Sequence, residues 1–207
     1  MTPRAGILIF VAFAVQSGAA AAETFAYWVQ PCKGSEVRCQ DGDEQLALWA
    51  LSAWEKASSG SLKLTPVLTE SQARIRVYWV SGREGLYGET RGIARDTVHG
   101  ADVYVRPTQE GLGPEIAAVT SRDKLFRDSI VYLTVLHESG HALGLPHTRG
   151  YDDIMYSFAY GGDIVEYFAR YRRKLEKRET IASASGLSDE DIRRVKLIYS
   201  GDKQPRQ

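Results

Sequence analysis

The chain has 207 residues, and its 26 basic residues balance 26 acidic ones, so the formal net charge is zero. Hydrophobic residues make up 43% of the sequence, which is typical of a soluble globular protein. The charge balance disfavours a nucleic-acid partner, because proteins that bind DNA or RNA usually carry an excess of positive charge. The length suits one well-filled core. We therefore expect a single domain, acting as a monomer.

Residues 1–22 have the pattern of a secretory signal peptide. A basic residue, Arg4, precedes the apolar run from Gly6 to Val15, and the segment ends in the alanines at 20–22. The apolar run is shorter than the roughly 20 residues that cross a bilayer, and no other stretch approaches that length. We expect cleavage after Ala22 and a secreted product, extracellular or periplasmic, with no further membrane association. An uncleaved membrane anchor is the alternative.

The two cysteines, Cys32 and Cys39, lie close together near the start of the expected mature chain. In an oxidising compartment we expect them to form a disulfide that closes a small loop. In the loop-entropy model, a disulfide that closes such a loop adds roughly 2–3 kcal/mol to the free energy of unfolding. In the alternative, one or both cysteines belong to a metal site, but neither has a neighbouring histidine.

The apolar pattern of the first half predicts a strand, a helix and three further strands. The helix is predicted over residues 44–58 and ends before Gly60. The predicted strands span residues 24–29, 62–67, 75–80 and 101–105.

Two irregular segments and a long helix complete the central part of the prediction. Residues 82–92 are rich in glycine and are predicted to lack regular structure, and Pro107 to Pro114 breaks the chain. A helix then runs from about Ser121 or Asp128 to Gly144.

The end of that helix carries the sequence HESGHALGLPH, from His137 to His147, which matches H-E-x-x-H-x-x-G-x-x-H. Helical spacing places His137 and His141 on one face, with Glu138 beside them. Gly144 allows a reversal of the chain that returns His147 to the same point. Three imidazoles with an open fourth position are typical of a catalytic zinc site. By chance this pattern is expected on the order of 10⁻⁵ times per chain, although histidines without a ligand role remain the alternative.

Met155 stands eight residues after His147 and is the only methionine beyond the expected cleavage site. A lone methionine usually fills a core, but this spacing favours a site role. With the long histidine motif, it makes the sequence resemble the matrixins, the matrix-metalloproteinase-like family of the metzincin clan of zinc endopeptidases. The resemblance covers most of residues 24–200. It also rests on an edge strand at Gly92 to Ala94 and on a closing helix at 187–199, with Ser188 as N-cap and Asp191 at N3.

The resemblance implies an α+β fold of the metzincin type. Such a fold has a twisted, mostly parallel sheet with an antiparallel edge strand, an active-site helix, a Met-turn and a C-terminal helix. The catalytic domain would span residues 23–200, followed by a short polar tail at 201–207. Because the first strand starts next to the expected cleavage site, we expect no prodomain with a cysteine switch.

The resemblance also implies the roles of the site residues. One catalytic zinc would be held by His137, His141 and His147, with Glu138 as general base for a zinc-bound water and Met155 beneath the metal. Calcium is neither indicated nor excluded. A protein or peptide substrate would lie extended along an edge strand. The candidate substrate-binding residues are Gly92, Ile93, Ala94, Tyr156 and Tyr160.

The sequence departs from the family pattern at several positions. Ser139 and Ser157 replace an aliphatic residue and a proline, respectively, near the expected specificity pocket. Only His99, near Asp102, is left for a second, structural zinc site, so we expect that site to be absent and His99 not to be a ligand.

The largest departure is an insertion at about 162–186, in which apolar residues recur at helical spacing from Ile164 to Leu175. One interpretation is a helix packed by its aromatic face with a solvated charged back. The other is a basic lid or exosite for an acidic partner. The second interpretation supports an alternative function, that of an exported zinc-bearing recognition protein with little turnover.

Overall fold

The computed structural model describes residues 21–33, 37–81, 87–95 and 98–200, with the backbone alone for 93–95, 98, 99 and 110. Most of the predicted signal peptide and the predicted tail at 201–207 lie outside the described residues. Among the described residues, no helix has the length and apolar character needed to cross a membrane.

Within the described ranges, five strands form one sheet in the order β2-β1-β3-β5-β4. The pairs among β1, β2, β3 and β5 are parallel, and only β4 runs antiparallel, beside β5 at the end of the sheet. This architecture confirms the predicted mostly parallel sheet with an antiparallel edge strand. The strands are β1 Glu23–Val29, β2 Leu62–Pro66, β3 Ile75–Trp79, β4 Gly88–Arg95 and β5 Val98–Val105.

In the described part of the chain, five α-helices accompany the sheet, and short 3₁₀ turns lie at 70–72, 110–112, 158–160 and 178–182. The expected active-site helix is α3, and the expected closing helix is α5, whose capping box of Ser188 and Asp191 is formed. The helices are α1 Asp43–Ala57, α2 Pro114–Thr120, α3 Lys124–Ala142, α4 Ile164–Arg172 and α5 Asp189–Tyr199.

The structure differs from the sequence-based prediction in three places. Strand β5 begins at Val98, three residues before the predicted strand at 101–105. The segment predicted to be irregular up to residue 92 enters a strand at Gly88, because the backbone of β4 pairs with β5 over its full length. The predicted break at 107–114 is followed at once by the short helix α2. Pro114 occupies the first turn of α2, where its missing N–H costs no helical hydrogen bond.

The hydrophobic core lies between the sheet and the helices α1 and α3. Trp54 of α1 is fully buried, and its indole Nε1 donates to the carbonyl of Leu136 in α3 at 2.9 Å. Ile75 and Val77 of β3 and Val103 of β5 are buried from the sheet side. Helix α3 is therefore held by packing along most of its length.

The insertion places α4 against α3 through an aromatic face. Tyr167, Phe168 and Tyr171 are buried, and the Tyr171 ring stacks on Tyr132 of α3 with centroids 5.5 Å apart. Tyr132 also donates its hydroxyl to the carbonyl of Ser185 at 2.8 Å. These contacts make the insertion part of the domain core.

Cys32 and Cys39 form the expected disulfide, with Cα atoms 5.8 Å apart. The loop they close precedes α1, and the backbone N–H of Cys32 donates to the carboxylate of Glu44 in the first turn of that helix. The disulfide therefore secures the chain where it passes from β1 to α1.

Candidate metal centre and active site

Helix α3 and the turn after it bring three histidines together. His137 and His141 lie one turn apart near the C-terminal end of α3. Gly144 then adopts a φ of 89°, a left-handed conformation that glycine tolerates, and the chain reverses. This reversal returns His147, so that the candidate ligand atoms of the three imidazoles all lie within 4.8 Å of one another.

The three imidazoles face one another through their Nε2 atoms. The Nε2 atom of His147 lies 3.2 Å from that of His137 and 3.0 Å from that of His141. The opposite ring nitrogens contact backbone carbonyls: His137 Nδ1 lies 2.6 Å from Ile154 O, and His141 Nδ1 lies 2.8 Å from Leu145 O. Because a carbonyl only accepts, these two Nδ1 atoms carry the proton and the two Nε2 atoms carry lone pairs.

This donor set fits a zinc ion. The Nε2 lone pairs of His137 and His141 both point towards Nε2 of His147, and a cation placed among the three nitrogens can accept lone pairs from all of them. Tetrahedral zinc with bonds of about 2.1 Å holds its ligands about 3.4 Å apart, close to the separations seen here. Burial lowers the pKa of His137 to about 4 and also lowers the pKa of His141, so both rings stay in the neutral form that binds metal.

Glu138 lies beside the histidines and is held from the edge strand β4. Its carboxylate Oε2 accepts a hydrogen bond of 2.7 Å from the hydroxyl of Thr90, which also lies 2.8 Å from the Glu138 carbonyl. The side chain is buried, and burial raises the pKa of its carboxyl group. Nothing in the sequence pattern pointed to Thr90, because the contact joins residues that are distant along the chain.

Met155 lies beneath α3 and is fully buried. A Cβ atom added to Gly140 would collide with the Met155 sulfur and lie 2.9 Å from the Trp54 ring, so the glycine permits this close contact. The backbone N–H of Thr148, next to the third histidine, donates to Met155 O at 2.8 Å. The Met-turn is thereby joined to both histidine-bearing segments.

Asp191 of α5 fixes the Met-turn from below. Its buried carboxylate accepts from the backbone N–H of Ile154 at 2.7 Å and of Met155 at 3.4 Å. The same carboxylate accepts from the N–H of Ser188, completing the capping box. The sequence predicted the cap but gave no signal for this second role.

A cleft with a cavity of about 380 Å³ opens beside the histidines. Residues of α3, the start of β4, the segment after Met155 and the insertion helix α4 all contribute to its walls. Beyond the end that holds the three histidines, the walls are largely apolar. Residues that line it include Gly88, Glu89, Thr90, Leu112, Leu133, Thr134, Tyr156, Ser157, Phe158, Ile164, Tyr167 and Phe168.

The part of β4 that lines the cleft lies earlier than the segment predicted to bind substrate. Gly88, Glu89 and Thr90 form the wall, and Gly92 to Ala94 follow in the same strand. Gly92 pairs with Ala101 of β5 and is exposed. Pairing of a substrate with Gly92, Ile93 and Ala94 stays a prediction.

The two candidate tyrosines occupy different places. Tyr156 lines the cleft, and its hydroxyl donates to Gly161 O at 2.8 Å. Tyr160 is 54% exposed and lies outside the cleft walls. Of the two unusual serines, Ser157 lines the cleft, whereas Ser139 is buried and donates to the carbonyl of Leu136 at 3.1 Å.

Comparison with known proteins agrees with this geometry. The Matrixin family model matches residues 21–166. The macrophage metalloelastase of Oryctolagus cuniculus is 28% identical over 143 residues, which cover 66% of this chain and 25% of the relative. The chain thus spans about a quarter of the length of that curated relative. The chain belongs to the matrixin family.

Proposed function

We propose that this protein is a secreted zinc-dependent endopeptidase. The observation that carries the proposal is the convergence of three imidazole Nε2 atoms beside the carboxylate of Glu138 in an open cleft. Membership of the matrixin family supports it. The similar protein from Oryctolagus cuniculus is named a metalloelastase, which supports peptide hydrolysis as the reaction.

In this scheme His137, His141 and His147 hold the zinc ion. When bound, zinc acts as a Lewis acid that acidifies a water molecule and polarises a carbonyl group. The carboxylate of Glu138 takes the proton of the attacking water and passes it to the leaving amine, so that no proton is gained or lost overall. Burial suits Glu138 to this role, because it raises the pKa of the carboxyl group and makes the carboxylate a stronger base.

The substrate would be an extended stretch of polypeptide. Strand β4 ends the sheet, and its outer edge is not paired with another described strand. A peptide can add to such an edge through backbone hydrogen bonds, with Gly92, Ile93 and Ala94 as the predicted pairing segment. The hydroxyl of Tyr156 already donates a hydrogen bond to a backbone carbonyl of the protein. This favours a role for Tyr156 in shaping the cleft over one in hydrogen bonding to the substrate.

The test is hydrolysis of an unfolded protein by the purified mature chain. We expect cleavage that a chelator abolishes and that added zinc restores. Glu138→Ala should lower kcat by about 10²–10⁴-fold, because general acid–base catalysis contributes that much, while the variant still binds one zinc ion. Full activity of Glu138→Ala, or activity that survives complete removal of metal, would refute the proposal.

A further inference from the structure

Two residues of the edge strand, Gly88 and Thr90, face the proposed base. They are two positions apart in β4 and therefore lie on the same side of the strand. The hydroxyl of Thr90 contacts Glu138 Oε2 at 2.7 Å and the backbone carbonyl of Glu138 at 2.8 Å. A hydroxyl has one proton, so it donates to one of these oxygens at a time, and either hydrogen bond holds Glu138 against β4.

Gly88 supplies the space that the other carboxylate oxygen needs. A Cβ atom at this position would lie 2.6 Å from Glu138 Oε1 and 2.9 Å from the methyl group of Thr134. Since Gly88 does not have a positive φ, its backbone conformation does not require glycine. The close approach to Glu138 and Thr134 is therefore the structural reason for a glycine here.

A glutamate side chain that acts as a base must be restricted in orientation. It has three rotatable bonds, and a displacement of about 1 Å at a reacting group can cost about 10²-fold in rate. Strand β4 restricts the orientation of the Glu138 side chain, because Thr90 donates a hydrogen bond to Oε2 and Gly88 lies beside Oε1. This arrangement leaves Oε1 as the oxygen available to a water molecule.

Resting on the proposed peptidase function, we infer that Thr90 and Gly88 are positioning residues for Glu138. Thr90 orients the carboxylate by its hydrogen bond, and Gly88 leaves room for the free oxygen. Strand β4 then has two tasks: its outer edge offers backbone groups to the substrate, and its inward face sets the geometry of the base. The position of the paired peptide and that of the base are defined by the same strand.

The decisive variant is Thr90→Val, which has nearly the same shape but no hydroxyl. Valine is favourable in strands, so β4 should still form. We expect kcat on a peptide substrate to fall about 10–100-fold, because hydrogen bonds to charged groups contribute about that factor, with KM and zinc content unchanged. Thr90→Ser keeps the hydroxyl and should retain most of the wild-type kcat.

A structural measurement and a second variant accompany the kinetics. A crystal structure of zinc-loaded Thr90→Val should show the Glu138 carboxylate rotated away from β4. Gly88→Ala should also lower kcat without loss of zinc, since its methyl group displaces Oε1. Thr65→Val is the matched control: Thr65 is exposed on β2, the opposite edge strand, and its replacement should leave all parameters unchanged.

The outcomes separate this inference from the proposed function. A wild-type chain without chelator-sensitive hydrolysis refutes the peptidase proposal. An active wild type with an equally active Thr90→Val refutes only the positioning role. A Thr90→Ser variant as impaired as Thr90→Val also refutes it, because the hydroxyl would then not be the cause. A change confined to KM would place Thr90 in substrate binding and refute the positioning role as well.

Discussion

Gly140, between the two helical histidines, shows how a single missing methyl group shapes the site. Glycine inside a helix normally costs about 1 kcal/mol relative to alanine. Here a Cβ atom would collide with Met155 and approach the ring of Trp54, all in the buried core. Gly140→Ala should therefore lower the free energy of unfolding by up to about 2 kcal/mol, because overpacking costs about 1–3 kcal/mol and exceeds the helical gain. Urea unfolding of the metal-free chain measures this.

The control for this prediction is a double-mutant cycle with Met155→Ala. Removing the methionine side chain opens the space beneath α3. Gly140→Ala should therefore lower the free energy of unfolding less in the Met155→Ala protein than in the wild type. A stabilised Gly140→Ala variant would mean that helix propensity outweighs the contact with Met155. The glycine would then have no packing role.

At the scale of elements, α3 is joined to α1 by a buried ion pair. The guanidinium of Arg127 contacts both carboxylate oxygens of Asp43, and both side chains are almost completely buried. Arg127 also donates to the carbonyl of Pro107 at 3.0 Å. Asp128, the next residue of α3, pairs with Arg178 of the insertion at 2.9 Å. Ion pairs thus connect α3 to α1 and to the insertion, and a hydrogen bond to a backbone carbonyl connects it to the segment before α2.

Replacing one partner of the Arg127–Asp43 ion pair should lower the free energy of unfolding substantially. Arg127→Met leaves the Asp43 carboxylate buried without its partner, and loss of one partner of a buried pair costs about 3–5 kcal/mol. Arg173→Met is the matched control, since Arg173 pairs with Glu166 on the exposed side of α4 and such pairs contribute about 0–1 kcal/mol. Chemical unfolding of both variants makes the comparison. Equal decreases in the free energy of unfolding for Arg127→Met and Arg173→Met would show that burial does not make the Arg127 pair more important than an exposed one.

The insertion is explained better as part of the core than as a basic exosite. Its aromatic residues are buried against α3, as the first interpretation of the sequence requires. All four of its arginines are paired with carboxylates of the same domain, which leaves less positive charge for an acidic partner. This disfavours the alternative of a recognition protein that acts through the insertion. The pairs are Arg170–Asp152, Arg172–Asp123, Arg173–Glu166 and Arg178–Asp128.

The elements differ in how far local sequence predicted them. Strand β3 and helix α1 have clear periodic patterns, and the prediction came within a residue or two of their bounds. The start of β4 was missed because Gly88 lacks strand propensity; its pairing with β5 and the space required by Glu138 decide its conformation. The local pattern does not predict helix α2, because the prolines at 107 and 114 indicate a break, although proline is favourable in the first turn of a helix.

At the scale of the whole molecule, the histidine motif is predictable from local sequence, whereas the residues that hold it in place are not. The three histidines and Glu138 fall within one helix and the turn after it, so their spacing alone predicts that they converge. Thr90 and Asp191 reach the site from β4 and from α5, and their roles depend on how those elements pack. The sequence motif predicts the candidate ligands and the candidate base, whereas the groups that hold them in place follow only from the packing of β4 and α5.

Because the three candidate ligands lie on α3 and in the turn that follows it, a metal ion bound by them should stabilise the folded domain as a whole. Zinc at about 100 times its dissociation constant adds about 2.7 kcal/mol to a protein that binds it only when folded. For a domain of this size that corresponds to a rise of about 5–10 °C in Tm. We expect a chelator to lower Tm by that amount and His147→Ala to abolish the zinc-dependent rise.

His99→Ala is the matched histidine control for that measurement, because the sequence predicts no ligand role for His99. It should keep both the zinc-dependent rise in Tm and a stoichiometry of one zinc ion per chain. A lower stoichiometry in His99→Ala than in the wild type would reveal a second metal site. A zinc-dependent rise that persists in His147→Ala would show that the stabilising ion binds elsewhere, and the histidine triad would then not be the metal centre.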